Sequence, residues 1–272
     1  MTDGADMEYT TVADFDRSEF IRVFEAYLSA VLSGCEGRTG EAMRYASLGG
    51  GKRVRPLCVY LGARAAGGNA DINDILPLAA AIELIHSYSL VHDDMPEMDN
   101  GELRRGKPSV HKEYGSATAL LAGDGLFSLA TDQMLKSKSI SAMKELASSA
   151  LEMVYGQSRE LAGCADEADW LEMYSKKTGA LIRGAFRAGA LCAGANEEEL
   201  KAITVFAECV GLAFQLSDDL LDGDPSIVDV IGRERAQNLL DGKFATARET
   251  AEKLANSDEL IAFANEMQTR KS

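Results

Sequence analysis

Apolar residues along this chain recur at three-, four- and seven-residue steps, and the steps are interrupted at glycine or polar clusters such as 163–169 and 194–199. That periodicity predicts helices near 17–34, 39–48, 53–67, 73–95, 116–137, 139–162, 168–175, 178–193, 197–222 and 233–269, the last broken around 256–258. Alternating runs of valine, isoleucine and threonine are missing, and no proline occurs from 109 to 224. The expected class is all-α, with loops at 65–71 and, highly charged, at 99–108. No repeat at a solenoid period and no Ser- or Pro-rich linker interrupts the pattern, which favours one domain over 1–272 with a flexible acidic N-terminus of about 1–15.

Composition narrows the function classes. Hydrophobic residues make up 46% and charged ones 26% of 272 residues, the balance of an ordinary globular protein. A net charge of −15 repels nucleic acid and anionic membrane surfaces unless basic residues cluster locally. No run reaches the eighteen or so uninterrupted apolar residues of a spanning helix, so membrane insertion is not expected. Asp3, Asp6, Glu8, Asp14 and Asp16 precede the first basic residue, Arg17, the reverse of a targeting segment; a cytoplasmic location is expected. Cys35, Cys58, Cys164, Cys192 and Cys209 are odd in number and widely spaced, as suits buried small hydrophobes in a reducing compartment.

The candidate chemistry sits at helix ends. Leu200, Ile203, Phe206, Val210, Phe214 and Leu221 make the 197–222 helix apolar nearly all round, a segment for the bundle interior, yet it closes on Asp218, Asp219 and Asp222. Asp218 and Asp222 are about 40° apart in projection, with Gln215 on the same side. A second apolar helix, over 82–92, closes on Asp93, Asp94, Glu97 and Asp99, with His86 on the face of Asp93 about 10 Å away. Pro96 disfavours helical geometry at Met95, which lets the chain bring Asp99 back toward Asp93. Carboxylates so clustered are hard-oxygen ligands for Mg²⁺, which takes one or two of them and fills its shell with water and phosphate oxygens. Either cluster alone also reads as a solvated acidic helix end.

Two cationic stretches are candidates for a phosphate group: Gly49-Gly50-Gly51-Lys52-Arg53-Val54-Arg55-Pro56 and Leu103-Arg104-Arg105-Gly106-Lys107-Pro108. Glycines admit an anion close to backbone N–H groups, and Lys52 and Arg55 follow at a helix start. The spacing is not that of a nucleotide P-loop. Alone, such a segment also reads as a basic turn.

Taken in order, these motifs resemble the trans-isoprenyl diphosphate synthases. Gly50-Gly51-Lys52-Arg53-Val54-Arg55-Pro56 is similar to that family's first basic motif, and Asp93-Asp94-Met95-Pro96-Glu97-Met98-Asp99 with Leu103-Arg104-Arg105-Gly106 to its first aspartate-rich motif in the longer spacing. Lys177-Thr178-Gly179 and Gly211-Leu212-Ala213-Phe214-Gln215-Leu216-Ser217-Asp218-Asp219-Leu220-Leu221-Asp222 complete the set, so the resemblance covers about 44–222.

The resemblance implies a bundle of ten or more helices around a central cavity, of the isoprenoid synthase type. It implies Mg²⁺, three ions, on Asp93, Asp94, Asp99, Asp218, Asp219 and Asp222. Isopentenyl diphosphate falls to Lys52, Arg55, His86 and Arg105, and the allylic diphosphate to Arg104, Lys177 and Arg233. The oxygens of Thr178 and Gln215 face an allylic cation, and Tyr88 and Ser89, a turn before Asp93, set product length. An aromatic residue at the Tyr88 position points to the farnesyl class, closest to bacterial farnesyl diphosphate synthases, with a homodimer as the assembly. His86 on its own also reads as a buried structural histidine and Tyr88 as core packing; His92 and His111 read as structural or surface residues. Two departures stand out. Gly101-Glu102 replaces an acidic pair, and after Asp222 the usual tail lysine is absent, leaving Arg233 or Arg235 as the substitute. Geranylgeranyl diphosphate synthase, a terpene cyclase and an inactive regulatory subunit are the alternatives; the intact basic motif and both aspartate motifs speak against the last two.

Overall fold

The computed structural model describes residues 10–221 and 226–269. It is all-α, and apart from a short hairpin the described chain runs from helix to helix. Its packing divides into two compact units.

The first unit comprises Asp14–Leu57 and Ile72–Lys138. Helix α1 (Arg17–Ser33) starts where the Asp16 carboxylate accepts the Glu19 amide at 2.8 Å, satisfying one of the otherwise unpaired N–H groups of its first turn. Its inward stripe of Phe20, Phe24, Leu28 and Leu32 is buried. Helix α2 (Gly37–Leu48) follows, then the basic loop and the first turn of α3 (Val54–Ala65). Helix α4 (Ile72–Asp93) is buried on nearly every side and packs most extensively on α6 (Ser116–Met134). Contact there is close: a Cβ at Gly123 of α6 would lie 2.0 Å from His92 Nε2. Between them stand the hairpin β1 (Leu103–Arg104) and β2 (Lys107–Pro108) and the short α5 (Val110–Tyr114).

The second unit holds Cys58–Asp71 and the chain from Ser139 onward. Helix α7 (Ile140–Ala162), capped by the Ser139 hydroxyl, lies against α9 (Ala180–Cys192), which in turn packs on α10 (Glu197–Leu221). Helix α8 (Glu167–Tyr174) runs into α9 through a π-helical turn, Ser175–Gly179. Short α11 (Ile227–Ile231), begun by a capping box of Ser226 and Asp229, leads to α12 (Arg233–Ala251) and α13 (Ser257–Thr269). Phe186 is the centre of this core, edge-on to Phe206 at 5.3 Å and to Phe263 at 5.8 Å.

The long helices fall within a few residues of the sequence expectation. Four details differ. Leu200 in the first turn of α10 and Phe214 nearer its end are half-buried, and Leu221, its last residue, is 51% exposed, whereas its neighbour Leu220 is buried. Cys58 and Cys209 are buried, whereas Cys35, Cys164 and Cys192 are only half-buried. The 99–108 loop contains the hairpin, and the expected gap at 176–177 is a continuous π turn. By length and composition α4 and α10 could also cross a membrane, although 72% of the most apolar window of α4 is buried within the protein.

Candidate active site

In the first unit, the basic loop is shaped by residues in the left-handed region: Gly50 at φ 98°, Gly51 at φ 137° and Arg53 at φ 49°. Gly51 is open for a second reason. A side chain there would sit 3.0 Å from the Arg105 guanidinium, which lies over the loop and donates to the Gly50 carbonyl. The β1–β2 turn, with Arg105 at φ 53°, thus delivers Arg105 to the loop that carries Lys52 and Arg55.

Arg53, between those two cations, points the other way. It is buried, donating to Glu83 of α4 at 2.7 Å, to both carboxylate oxygens of Glu25 at 2.7 and 3.3 Å, and to the Ser47 carbonyl of α2 at 3.0 Å. Burial opposes its charge, and the two carboxylates overcome that and raise its pKa. The loop is therefore tied to α1, α2 and α4 by a residue the sequence did not single out.

His86 lies one turn beyond Glu83 on α4. Its pKa is pushed well below the ordinary histidine value, first by burial and then by Arg55, Arg105, Arg104 and Arg53. A neutral imidazole ringed by guanidinium groups is an environment short of negative charge, suited to a polyanion. Of the four residues assigned to isopentenyl diphosphate, the structure brings Arg55 and Arg105 into electrostatic range of His86; Lys52 is exposed on the same loop as Arg55.

Helix α4 ends at Asp93, and the chain then turns so that the Asp99 amide donates to the Asp93 carbonyl at 2.9 Å. The return of Asp99 expected from Pro96 is observed. Asp94 is buried and held by Arg104, whose Nη2 and Nε donate to its two oxygens at 2.5 and 3.1 Å. Arg104 has a raised pKa, chiefly through that contact, with Asp93 and Asp99 adding to it. This guanidinium counter-charges the three aspartates of the first cluster. Gly101 explains the first sequence departure: a Cβ there would lie 2.7 Å from an Asp94 oxygen. Glu102 pairs instead with Lys112 at 3.2 Å.

Tyr88 packs edge-on against His92 at 5.8 Å and Phe127 of α6 at 5.3 Å. Burial raises its pKa and Asp93 raises it further, which sets its hydroxyl near the first cluster. Ser89 turns back to donate to the His86 carbonyl at 2.9 Å. His111 bonds Ser109 at 3.0 Å and is buried, as a structural histidine.

In the second unit, the π turn places Lys177 and Thr178. An extra residue per turn displaces the backbone, and it fits because α7 has Gly156 there, where a Cβ would lie 2.2 Å from the Lys177 nitrogen. Lys177 pairs with Glu160 of α7. The Thr178 hydroxyl donates to Gln215 Oε1 at 2.9 Å, and Gln215 Nε2 donates to Asp219 at 3.1 Å. Tyr174, at the end of α8, donates its hydroxyl to the other Asp219 oxygen and accepts from the Ile227 amide at 3.2 Å. Asp218 is half-buried on the last turn of α10, and Asp222 lies outside the described residues. Arg233 donates to the Leu220 carbonyl at 3.0 Å, at the end of α10, whereas Arg235 pairs with Glu167 at 2.7 Å.

Tyr174, Arg53 and the Asp94–Arg104 pair are the site residues or pairings that sequence reasoning missed. Tyr174, three residues before Lys177, was the one with a positional hint. Among the described residues no three His, Cys, Asp or Glu side chains converge to hold an ion by themselves. The carboxylates of Asp93, Asp99 and Asp218 are hard-oxygen donors of the kind Mg²⁺ takes, one or two to an ion, with phosphate oxygens and water in the other positions.

A helical bundle with two apolar helices ending in aspartates, and a guanidinium-lined loop beside one of them, has the architecture of isoprenoid synthases. The polyprenyl synthetase family profile matches residues 37–271, and the chain belongs to that family. It is 38% identical to geranylgeranyl pyrophosphate synthase 6 of Arabidopsis thaliana, over 79% of this chain and 70% of that one. To farnesyl diphosphate synthase of Geobacillus stearothermophilus it is also 38% identical, over 79% and 77%. A crystal structure of a geranyltransferase from Legionella pneumophila superposes with a TM-score of 0.86 at 30% identity, covering 93% of this chain and 96% of that one. The protein is thus a prenyl diphosphate synthase that elongates trans-prenyl chains. The family match includes the tail beyond 222, where the sequence departs most from the motif pattern. Relatives of both product classes stand at the same identity, so the likeness itself is to the family and not to its farnesyl members.

Proposed function

We propose that the protein condenses isopentenyl diphosphate with dimethylallyl and geranyl diphosphates and stops at the C15 product, farnesyl diphosphate. The observation that carries this reading is the Tyr88 ring, packed between His92 and Phe127 a turn before Asp93, where a growing prenyl chain directed along α4 would meet it. Arg55, Arg105, Lys52 and neutral His86 hold the isopentenyl diphosphate, the imidazole as an N–H donor. Arg104, Lys177 and Arg233 serve the allylic diphosphate. The family is Mg²⁺-dependent in general; three ions on Asp93, Asp99, Asp218 and Asp222 would neutralise the diphosphate that leaves. The oxygens of Thr178 and Gln215 stabilise the allylic cation as the carbon–oxygen bond breaks. The double bond of isopentenyl diphosphate attacks it, and the released diphosphate takes the final proton.

A homodimer and a cytoplasmic location belong to the same proposal. Exposed Leu120 and Leu121 on α6 support the first, and five free cysteines the second. Sedimentation would test the dimer: a stable, active monomer rejects it. Product length is tested by incubating the protein with Mg²⁺, isopentenyl diphosphate and each of the C5, C10 and C15 allylic diphosphates and weighing the products. A mainly C20 product rejects the farnesyl assignment in favour of geranylgeranyl diphosphate, and the absence of any condensation rejects the enzyme reading.

A further inference from the structure

The hydrogen bonds around Asp219 have only one consistent direction, and that direction decides which atoms Thr178 and Gln215 present. The Ile227 amide can only donate, so the Tyr174 oxygen accepts from it and its own proton is left for Asp219. An ionised carboxylate can only accept. Asp219 therefore takes the Tyr174 proton on one oxygen and, at 3.1 Å on the other, a proton from the Gln215 amide nitrogen. The amide is thereby fixed with its oxygen toward Thr178. That oxygen in turn takes the Thr178 hydroxyl proton at 2.9 Å. On the Thr178 side the pair is left with lone pairs, those of the hydroxyl and of the amide oxygen, a surface of acceptors suited to a carbocation, while both Nε2 hydrogens stay at the Asp219 end of the amide. A flipped amide would present N–H donors to positive charge.

We infer that Tyr174 and Asp219 form a rotational lock on the Gln215 amide, and that Asp219 is a positioning residue and not a Mg²⁺ ligand. This rests on the cation-stabilising role proposed above for Gln215 and Thr178, and it revises the assignment of Asp219 that the motif alone implies. Tyr174 is 2% exposed and sits where α8 passes into the π turn, so its hydroxyl is placed by packing and not by the substrate. Through Ile227 the same hydroxyl anchors the start of α11.

Two measurements test the lock. Titration calorimetry of Mg²⁺ in the presence of inorganic pyrophosphate, on the full chain, needs no turnover. Asp219→Asn should bind within about twofold of the wild type, whereas Asp218→Asn should be weakened about tenfold or more. Asp219→Asn weakened as much as Asp218→Asn would overturn the inference. The second measurement is a cycle in kcat. Asn at 219 carries an NH2 that permits the flipped amide, so Asp219→Asn and Tyr174→Phe should each lower kcat about tenfold or more with KM for isopentenyl diphosphate unchanged. In a Gln215→Met background, which has no amide to orient, Tyr174→Phe should lower kcat no further. A Tyr174→Phe effect that persists in full in that background would show a merely structural tyrosine and reject the lock. If the wild type condenses no substrate, the function reading fails, and the calorimetry still decides the place of Asp219.

Discussion

Replacing Arg53 by methionine removes a guanidinium that is 3% exposed and leaves Glu83, itself 4% exposed, with a carboxylate facing the emptied position. The 2.7 Å contact between them is a buried ion pair, and removing one partner of such a pair costs about 3–5 kcal/mol, mostly because the survivor stays charged and dry. The arm to Glu25 adds little, since that carboxylate is 42% exposed and water replaces its partner; about 0–1 kcal/mol is the range for such contacts. Against a total stability of about 5–15 kcal/mol the loss is large, and at about 2–4 °C per kcal/mol it lowers the melting temperature by about 6–20 °C. Urea unfolding followed by circular dichroism measures it. The double variant Arg53→Met with Glu83→Met removes both charges together and should recover most of the loss, because it leaves no buried charge unpaired. A single variant within about 1 kcal/mol of wild type, or a double variant as unstable as the sum of its singles, would refute the account of Arg53 as a buried tie. Because the same residue lies between Lys52 and Arg55, the surviving Arg53→Met enzyme should also show a raised KM for isopentenyl diphosphate.

Four further outcomes are expected. His86 has a folded pKa well below its unfolded value near 6.5, so on acidification the unfolded chain takes up a proton that the folded chain refuses. The stability present above pH 6.5 should therefore fall as pH drops below it, by up to about 1.4 kcal/mol per unit, and His86→Gln should abolish that slope in urea titrations run from pH 7.5 to 5. Tyr88→Ala should shift the product from C15 toward C20; mass analysis showing C15 at undiminished activity would place the stop elsewhere, for instance along α6. Lys52→Ala and Arg55→Ala should raise KM for isopentenyl diphosphate more than for the allylic substrate, and equal effects would mean that the two diphosphate sites are misassigned. Asp93→Ala should eliminate turnover with the circular dichroism spectrum unchanged, as should excess chelator on the wild type; full activity in chelator rejects metal dependence.

The long helices were legible because each carries enough turns for its apolar period to repeat, and the aspartates were legible because charge at the end of an apolar helix is conspicuous. The hairpin at 103–108 was not, since strands of two residues cannot show an alternating pattern. Lys176-Lys177-Thr178-Gly179 reads as the end of one helix and the start of another; that it continues as a π turn depends on Gly156, some twenty residues earlier, which no local period reports. Arg53 looked like the middle of a basic patch, and only the left-handed backbone there turns it inward toward Glu83. Asp94 and Asp219 show the same limit from the acidic side. A motif gives a carboxylate's position along the helix, whereas its hydrogen-bond donors come from the hairpin in one case and from α8 in the other.

The π turn at Ser175–Gly179 also makes this helix unusually sensitive to changes in chain length. A π turn accommodates one residue more than an α turn, so deleting one residue here could restore a regular helix with little loss of backbone hydrogen bonding. The helix beyond the deletion would keep its phase relative to α8, because the wide turn is what absorbs the extra residue, and the residues inside the turn would be re-aimed. Tyr174 would stay in register while Lys177 and Thr178 swung away. In evolutionary terms a single codon loss at this spot could preserve a folded helical bundle and separate its hydroxyl from Gln215, a short step from a synthase to a scaffold without chemistry.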